Sequence, residues 1–237
     1  MPEAVDTEII MEQRGGVTLL TLNRPQTANA INTPLSKRFV SALSEAAAEK
    51  AVCALVVTGS GSRAFCSGVD IKNPAALPLN AIAKERSRNL RACVAAMLDF
   101  PKPLVVAVNG VASGGGCMLA LLADRVVAVD QAAFAMPEID LGAPTYMGLA
   151  LLTGLAGEAL ASDLVQTGRR MSAAEAHARG LVAAVVRSPD LLSTAQQSAL
   201  ELGSKPAQAF QLNKAWINQR RRDALQAAME LRDRIRG

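Results

Sequence analysis

Aromatic residues make up only 3% of the 237-residue chain. Too few are available to build a platform on which nucleic-acid bases stack, and no nucleic-acid partner is expected. The sequence contains a single histidine, His177, on a short helical pattern that ends at Gly180, where a surface or packing role suits it. No Ser-His-Asp or Cys-His arrangement can then be assembled. Four cysteines, Cys53, Cys66, Cys93 and Cys117, are too sparse for a disulfide framework, and no Cys-x-x-Cys pair or His-rich cluster suggests a metal. Charged residues are few at 19%, and no basic block stands out apart from Arg220 to Arg222. The net charge of +4 suits a small anionic ligand as well as a nucleic acid. The acidic start, MPEAVDTEII, lacks a secretory pattern, and no apolar run reaches membrane-span length, so a cytoplasmic protein with no membrane partner is expected.

Half of the residues are hydrophobic, enough for a sizeable core. After a short polar start, Val17 to Leu22 reads as a strand, and Thr33-Pro34 as the N-cap and first position of a helix running to Lys50. Cys53 to Thr58 reads as a second strand. Residues 64 to 72 read as a loop, and regular structure lapses from Asn73 to Pro78. A helix is expected from Asn80 to Phe100, a buried strand from Leu104 to Val108, a helix through Leu122, and a strand from Val126 to Val129. Beyond Gly142 the pattern is helical, with Ser172 and Glu175 forming a capping box and one further strand, Leu181 to Val186. From Pro189 on it is entirely helical. Apolar strands separated by helices imply an α/β domain with mostly parallel strands.

The stretch from Pro103 to Gly142 is the most informative. Gly114, Gly115 and Gly116 lie between a strand and a helix, where backbone N–H groups can approach an anion and the helix dipole assists. For a glycine run standing alone, a tight strand-to-helix turn without a ligand is the preferred reading. A phosphate loop does not fit, because no Gly-Lys-Ser or Gly-Lys-Thr follows. A second glycine loop, Ser67-Gly68-Val69-Asp70, follows the preceding strand. If both loops emerge at one carboxyl edge of a parallel sheet, two N–H groups can converge on one oxygen.

The segments NRPQTANAIN (23 to 32), AFCSGVDIK (64 to 72), KPLVVAVNGVASGGGCMLALLAD (102 to 124), FAMPEIDLG (134 to 142) and TGRRMSAAEAHARGLVAAVV (167 to 186) occur in the order found in the crotonase, or enoyl-CoA hydratase/isomerase, family. The chain resembles that family over most of its length. The resemblance implies a crotonase-like spiral of ββα units over residues 1–187, followed by a helical region over 188–237. It also implies homotrimers or dimers of trimers, and an acyl-CoA thioester as the partner, with no cofactor beyond the CoA of the substrate. Relative to the family the tail is short, so the acyl pocket is expected to be more open or completed by a neighbouring subunit.

By the same resemblance, the backbone N–H groups of Val69 and Gly115 form an oxyanion hole, and Glu138 is the catalytic carboxylate. Substrate contacts are implied at Ala30, Cys66, Gly68, Asp70 and Ile71. Lys72 is a candidate phosphate or ribose partner, or else a solvated lysine. The informative departure is Met118, at a substrate-contacting position where hydratases of the family carry a glutamate. Methionine cannot move a proton, so hydration is expected to be impaired. A single glutamate with an apolar residue replacing the other resembles the Δ3,Δ2-enoyl-CoA isomerase branch.

Two alternatives stand beside it. One is a hydratase or hydrolase recruiting Asp140 or water, although Asp140 reads more naturally as structural. The other is a non-catalytic CoA-ester binder. Cys66 and Cys117 flank the glycine loops but suit packing better than nucleophilic attack. Trp216 and Arg220 to Arg222 are expected on an oligomer face or a solvated helix.

Overall fold

A computed structural model describes residues 8–72 and 79–236. The expected lapse from Asn73 to Pro78 lies outside these residues. Four times the chain makes two strands and then a helix. The first unit is β1 (Ile9–Arg14), β2 (Val17–Leu22) and α1 (Thr33–Ala48), and the second is β3 (Ala54–Gly59), β4 (Ala64–Cys66) and α2 (Leu79–Asp99). The third is β5 (Leu104–Val108), β6 (Val111–Ser113) and α3 (Gly115–Leu121); the fourth is β7 (Arg125–Val129), β8 (Ala133–Ala135) and α4 (Tyr146–Ala156). Then follow α5 (Glu158–Thr167), β9 (Arg170–Ser172), α6 (Ala173–Ala178), β10 (Ala184–Val186), α7 (Leu191–Gly203) and α8 (Ala207–Arg236).

Among the described residues the strands form two sheets, β1-β2-β3-β5-β7-β10 and β4-β6-β8-β9. In the second, third and fourth units the first strand enters the larger sheet and the second strand enters the smaller, so the chain winds as a spiral of ββα units. Pairing is parallel except where β1 meets β2 and β9 meets β8. Every residue of β3 and β5 is buried, as a parallel strand covered on both faces requires. α7 packs against β3, β5 and β7 of the larger sheet.

The structure departs from the expected elements at identifiable places. The polar start contains β1, an edge strand whose Glu12 and Gln13 are exposed while Ile9 is buried. β4, β6, β8 and β9 have three residues each, too short to carry a period in the sequence. Residues 64 to 72 are therefore not all loop. Two strands follow Gly142, not one, and the last begins only at Ala184, because Leu181 and Val182 both donate to the Ala176 carbonyl. The α1 cap is Asn32, whose Oδ1 accepts from the Leu35 N–H at 2.9 Å. Thr33 and Pro34 become the first helical residues.

α8 is fastened by buried polar groups. Lys214 Nζ donates to Asp124 Oδ2 at 2.6 Å and to the Lys102 carbonyl at 2.8 Å. Burial pushes the Lys214 pKa down, and Asp124 opposes that. Asn218 Nδ2 and Arg222 Nη2 both donate to the Leu98 carbonyl at 2.9 Å, and Arg221 Nη1 to that of Leu122 at 3.0 Å. Leu98 and Leu122 lie at the C-terminal ends of α2 and α3, where carbonyls lack helical partners and cations are favoured. Arg221 and Arg222 thus fold inward, against the expectation of a merely solvated or oligomer-facing helix. Trp216 remains 72% exposed.

Candidate active site

The two glycine loops do meet, but through the smaller sheet. β4 and β6 are parallel neighbours, and their carboxyl ends lead into Ser67–Asp70 and into the glycine turn. Gly68 has a φ of +92°, and a Cβ there would lie 2.9 Å from the Ser113 carbonyl oxygen and 3.1 Å from the Gly115 nitrogen. A Cβ on Gly116 would stand 2.1 Å from the Cys66 carbonyl oxygen. These glycines let the start of α3 lie directly on β4 and the loop after it.

Residues 28 to 31 run alongside this loop. The Ser67 N–H donates to the Ala28 carbonyl at 3.0 Å, the Ile31 N–H to that of Gly68 at 2.8 Å, and the Asp70 N–H to that of Ile31 at 2.9 Å. Ile31 and Val69 form a parallel bridge in which the Val69 N–H takes no part. Gly115, the first residue of α3, has an N–H with no partner among the described residues. Both N–H groups are therefore without a partner among the described residues, where the two loops meet. Ala30 and Cys66 are buried here, whereas Ile71 is 64% exposed and Lys72 is exposed. The Lys72 N–H donates to Asp70 Oδ1 at 3.1 Å, so the Asp70 side chain closes the loop after itself.

Glu138 stands in a single 3₁₀ turn, Pro137–Leu141, immediately after β8. The Gly114 N–H donates to the Ala135 carbonyl at 2.9 Å, tying that end of β8 to the glycine turn. The Glu138 Oε2 atom is buried with no hydrogen-bond partner. Burial pushes the carboxyl pKa up, against a weaker lowering by the residue's own backbone hydrogen bond. A buried carboxylate oxygen without a donor is costly, and a carboxyl held in that state with a raised pKa is a candidate for proton chemistry. Asp140 faces elsewhere: its Oδ2 lies 2.8 Å from where a Cβ on Gly168 would be.

Met118, one turn into α3, is 1% exposed and packed in the apolar core. Burial raises the Cys66 and Cys117 thiols to about 12, with a further rise at Cys117 from the Glu138 charge. Neither is poised as a thiolate nucleophile. His177 Nδ1 is 2.8 Å from the Val182 carbonyl oxygen, a local packing bond. Among the described residues no group of three His, Cys, Asp or Glu side chains could hold a metal ion, and no helix is long and apolar enough to cross a membrane.

Three neighbours of the site were not singled out from the sequence. Leu90 of α2 places its Cδ1 2.9 Å from where a Cβ on Gly115 would be; its only sequence signal is an apolar position of a helix. Arg24 and Arg86 both bind Asp70. Arg24 stands inside the Asn23-Arg24-Pro25 stretch that reads as a strand end, and Arg86 has the character of any exposed helical arginine.

A spiral of ββα units whose second strands bring a glycine-started helix, a glycine loop and one partly buried carboxylate together defines an α/β enzyme class. A family profile described as enoyl-CoA hydratase/isomerase matches residues 12–236. The chain is 38% identical over 211 residues to a probable enoyl-CoA hydratase of Mycobacterium tuberculosis, covering 89% of this chain and 80% of that protein. It is 38% identical to the 2,3-dehydroadipyl-CoA hydratase of Escherichia coli, covering 94% and 86%. The solved enoyl-CoA hydratase of Bacillus anthracis superposes with a TM-score of 0.82 at 28% identity, covering 96% and 93%. This chain belongs to the enoyl-CoA hydratase/isomerase family and is an enzyme with hydratase/isomerase chemistry.

Proposed function

We propose that the enzyme isomerises 3-enoyl-CoA thioesters to 2-enoyl-CoA. Glu138 takes the proton from C2, the thioester becomes an enolate, and the same carboxyl returns the proton at C4, moving the double bond into conjugation. The Val69 and Gly115 N–H groups would stabilise the enolate oxygen, at about 3 kcal/mol for a donor of this kind. The observation that carries the reading is Glu138 itself, partly buried, with its Oε2 atom buried and unpartnered beside the glycine turn, while position 118 holds methionine. A raised pKa strengthens a carboxylate as a base.

The relatives named above are hydratases, and hydration is the competing reading. Hydration needs a second group to manage the attacking water. Met118 supplies none, and the Asp140 carboxylate is turned toward Gly168. The substrate contacts implied at Ala30, Cys66, Gly68, Asp70, Ile71, Lys72 and Met118 belong to the same proposal. So does trimeric assembly, for which the exposed Leu212, Trp216 and Ile217 of α8 supply an apolar face; a single-chain mass by light scattering would overturn it.

The deciding experiment offers the enzyme trans-3-hexenoyl-CoA and crotonyl-CoA separately. Isomerisation of the first with little hydration of the second is expected. Rapid hydration of crotonyl-CoA would sink the proposal, and inertness toward both would leave a CoA-ester binder. Glu138→Gln should reduce isomerisation at least about 100-fold while CoA-ester binding persists.

A further inference from the structure

We propose that Arg24 is a positioning residue: it sets the direction of the Val69 N–H without touching the substrate, an inference that rests on Val69 and Gly115 being the oxyanion donors. The Val69 N–H belongs to the Gly68–Val69 peptide. Its carbonyl accepts from the Ile31 N–H at 2.8 Å. In a planar trans peptide the N–H points opposite to the C=O, so this one bond aims the Val69 N–H away from residues 28 to 31. Whatever holds Ile31 and its neighbours in register with the loop therefore aims the donor.

Arg24 does that holding. Its Nη1 donates to the Ala30 carbonyl at 2.6 Å and to Asp70 Oδ2 at 3.0 Å, so one nitrogen joins the residue before Ile31 to the residue after Val69. The side chain is 13% exposed, and its Nε lies 3.0 Å from Glu8 Oε2. The Arg24 N–H is itself fixed, donating at 3.0 Å to Oδ1 of the fully buried Asn29. Asn29 Nδ2 donates in turn to the Ser60 and Ala64 carbonyls, both at 3.0 Å, reaching the first residue of β4. Ala28 and Asn29 sit at φ of 53° and 55°, a left-handed conformation that persists in non-glycine residues only where surroundings over-determine it. From the other side Arg86 grips the main chain, its Nε donating to the Asp70 carbonyl at 2.9 Å and its Nη2 to that of Ile71. Asp70 is thus held by its side chain and its backbone at once. A lysine at 24 can offer one ammonium to the Ala30 carbonyl and Asp70 but not the Nε contact to Glu8 at the same time, so it holds the link less firmly.

The test reads carbonyl polarisation directly. A 4-dimethylaminocinnamoyl thioester absorbs further to the red when donors pull on its carbonyl oxygen. It is bound to saturation as the CoA ester and as the short N-acetylcysteamine ester, to wild type, Arg24→Ala, Arg24→Lys and Asp70→Asn. Arg24→Ala is expected to lose at least half of the red shift with both esters, and Arg24→Lys and Asp70→Asn part of it. With 3-hexenoyl-CoA, kcat should fall about 10- to 100-fold with KM nearly unchanged. A full red shift in Arg24→Ala, with only KM for the CoA ester raised, would overturn the proposal. Should Arg24→Ala fail to fold, an undiminished shift in folded Asp70→Asn and Arg24→Lys overturns it equally. The shift needs no turnover, so a protein inert to 3-hexenoyl-CoA still answers this question. Absence of any shift in wild type removes the oxyanion reading and Arg24's role together.

Discussion

The Glu138 carboxylate occupies the space that a side chain on Gly114 would fill: its Oε1 lies 2.8 Å from the position of a Cβ there. The carboxylate and the start of α3 are therefore packed as one unit. Gly114→Ala would press a methyl onto Glu138 and hold alanine at φ +51°, ψ −122°, outside the left-handed helical region, at a backbone cost of about 1–3 kcal/mol. Activity should fall about 100-fold, out of proportion to that modest loss of stability. Gly116→Ala should show the reverse balance, since its Cβ meets a main-chain oxygen at 2.1 Å that cannot swing aside. A stability loss of about 3 kcal/mol is expected. Paired denaturant titrations and rate assays check both, and a Gly116→Ala protein as stable as wild type would refute the packing argument.

Glu138→Gln should cost activity and add stability. The folded state raises this carboxyl's pKa, so it binds the proton more tightly than the unfolded chain does. Stability from this group is therefore full below the ordinary carboxylate pKa and is lost as pH rises through the raised folded value. Glutamine carries no such penalty. Urea unfolding at about pH 8 should find the variant more stable than wild type, with the difference shrinking toward about pH 4. For the wild type, kcat/KM should rise with pH through a value above the usual carboxylate range. A variant less stable than wild type at the higher pH would contradict the buried-charge account.

Thiol chemistry offers an independent check on the site. Burial lifts Cys66 and Cys117 to about 12 and Cys93 to about 11, while Cys53 is only half-buried. Iodoacetamide should label Cys53 alone in the native protein and all four cysteines in denaturant, with activity retained after native labelling. Fast native labelling of Cys66 or Cys117 with loss of activity would bring a covalent mechanism back.

What could be read from the sequence followed segment length. The buried strands β3, β5 and β7 and the long helices α1 and α2 announce themselves through apolar runs and helical spacing. Strands of three residues, such as β4 and β6, show no period and borrow their geometry from the sheet they join. The two glycine loops are expected at one carboxyl edge of a parallel sheet, and they do follow parallel neighbours, but those are the short β4 and β6 of a second sheet that the sequence does not announce. At the site, Gly68, Gly114 and Glu138 carry signals in their own residue types. Arg24 does not, because its importance comes from reaching Asp70, 46 positions away in the chain. Leu90 is likewise indistinguishable from its helical neighbours until Gly115 is placed against it.

The fastening of α8 divides freedom to mutate unequally between two surfaces. Lys214, Asn218, Arg221 and Arg222 all reach for main-chain oxygens, those of Lys102, Leu98 and Leu122. A carbonyl is the same whatever side chain accompanies it. Apart from Asp124 and Asp99, whose carboxylates also accept from Lys214 and Arg222, the receiving surface can therefore change its residues over evolutionary time and still hold the helix, whereas each donor on α8 answers to a fixed point of backbone and has little room to vary.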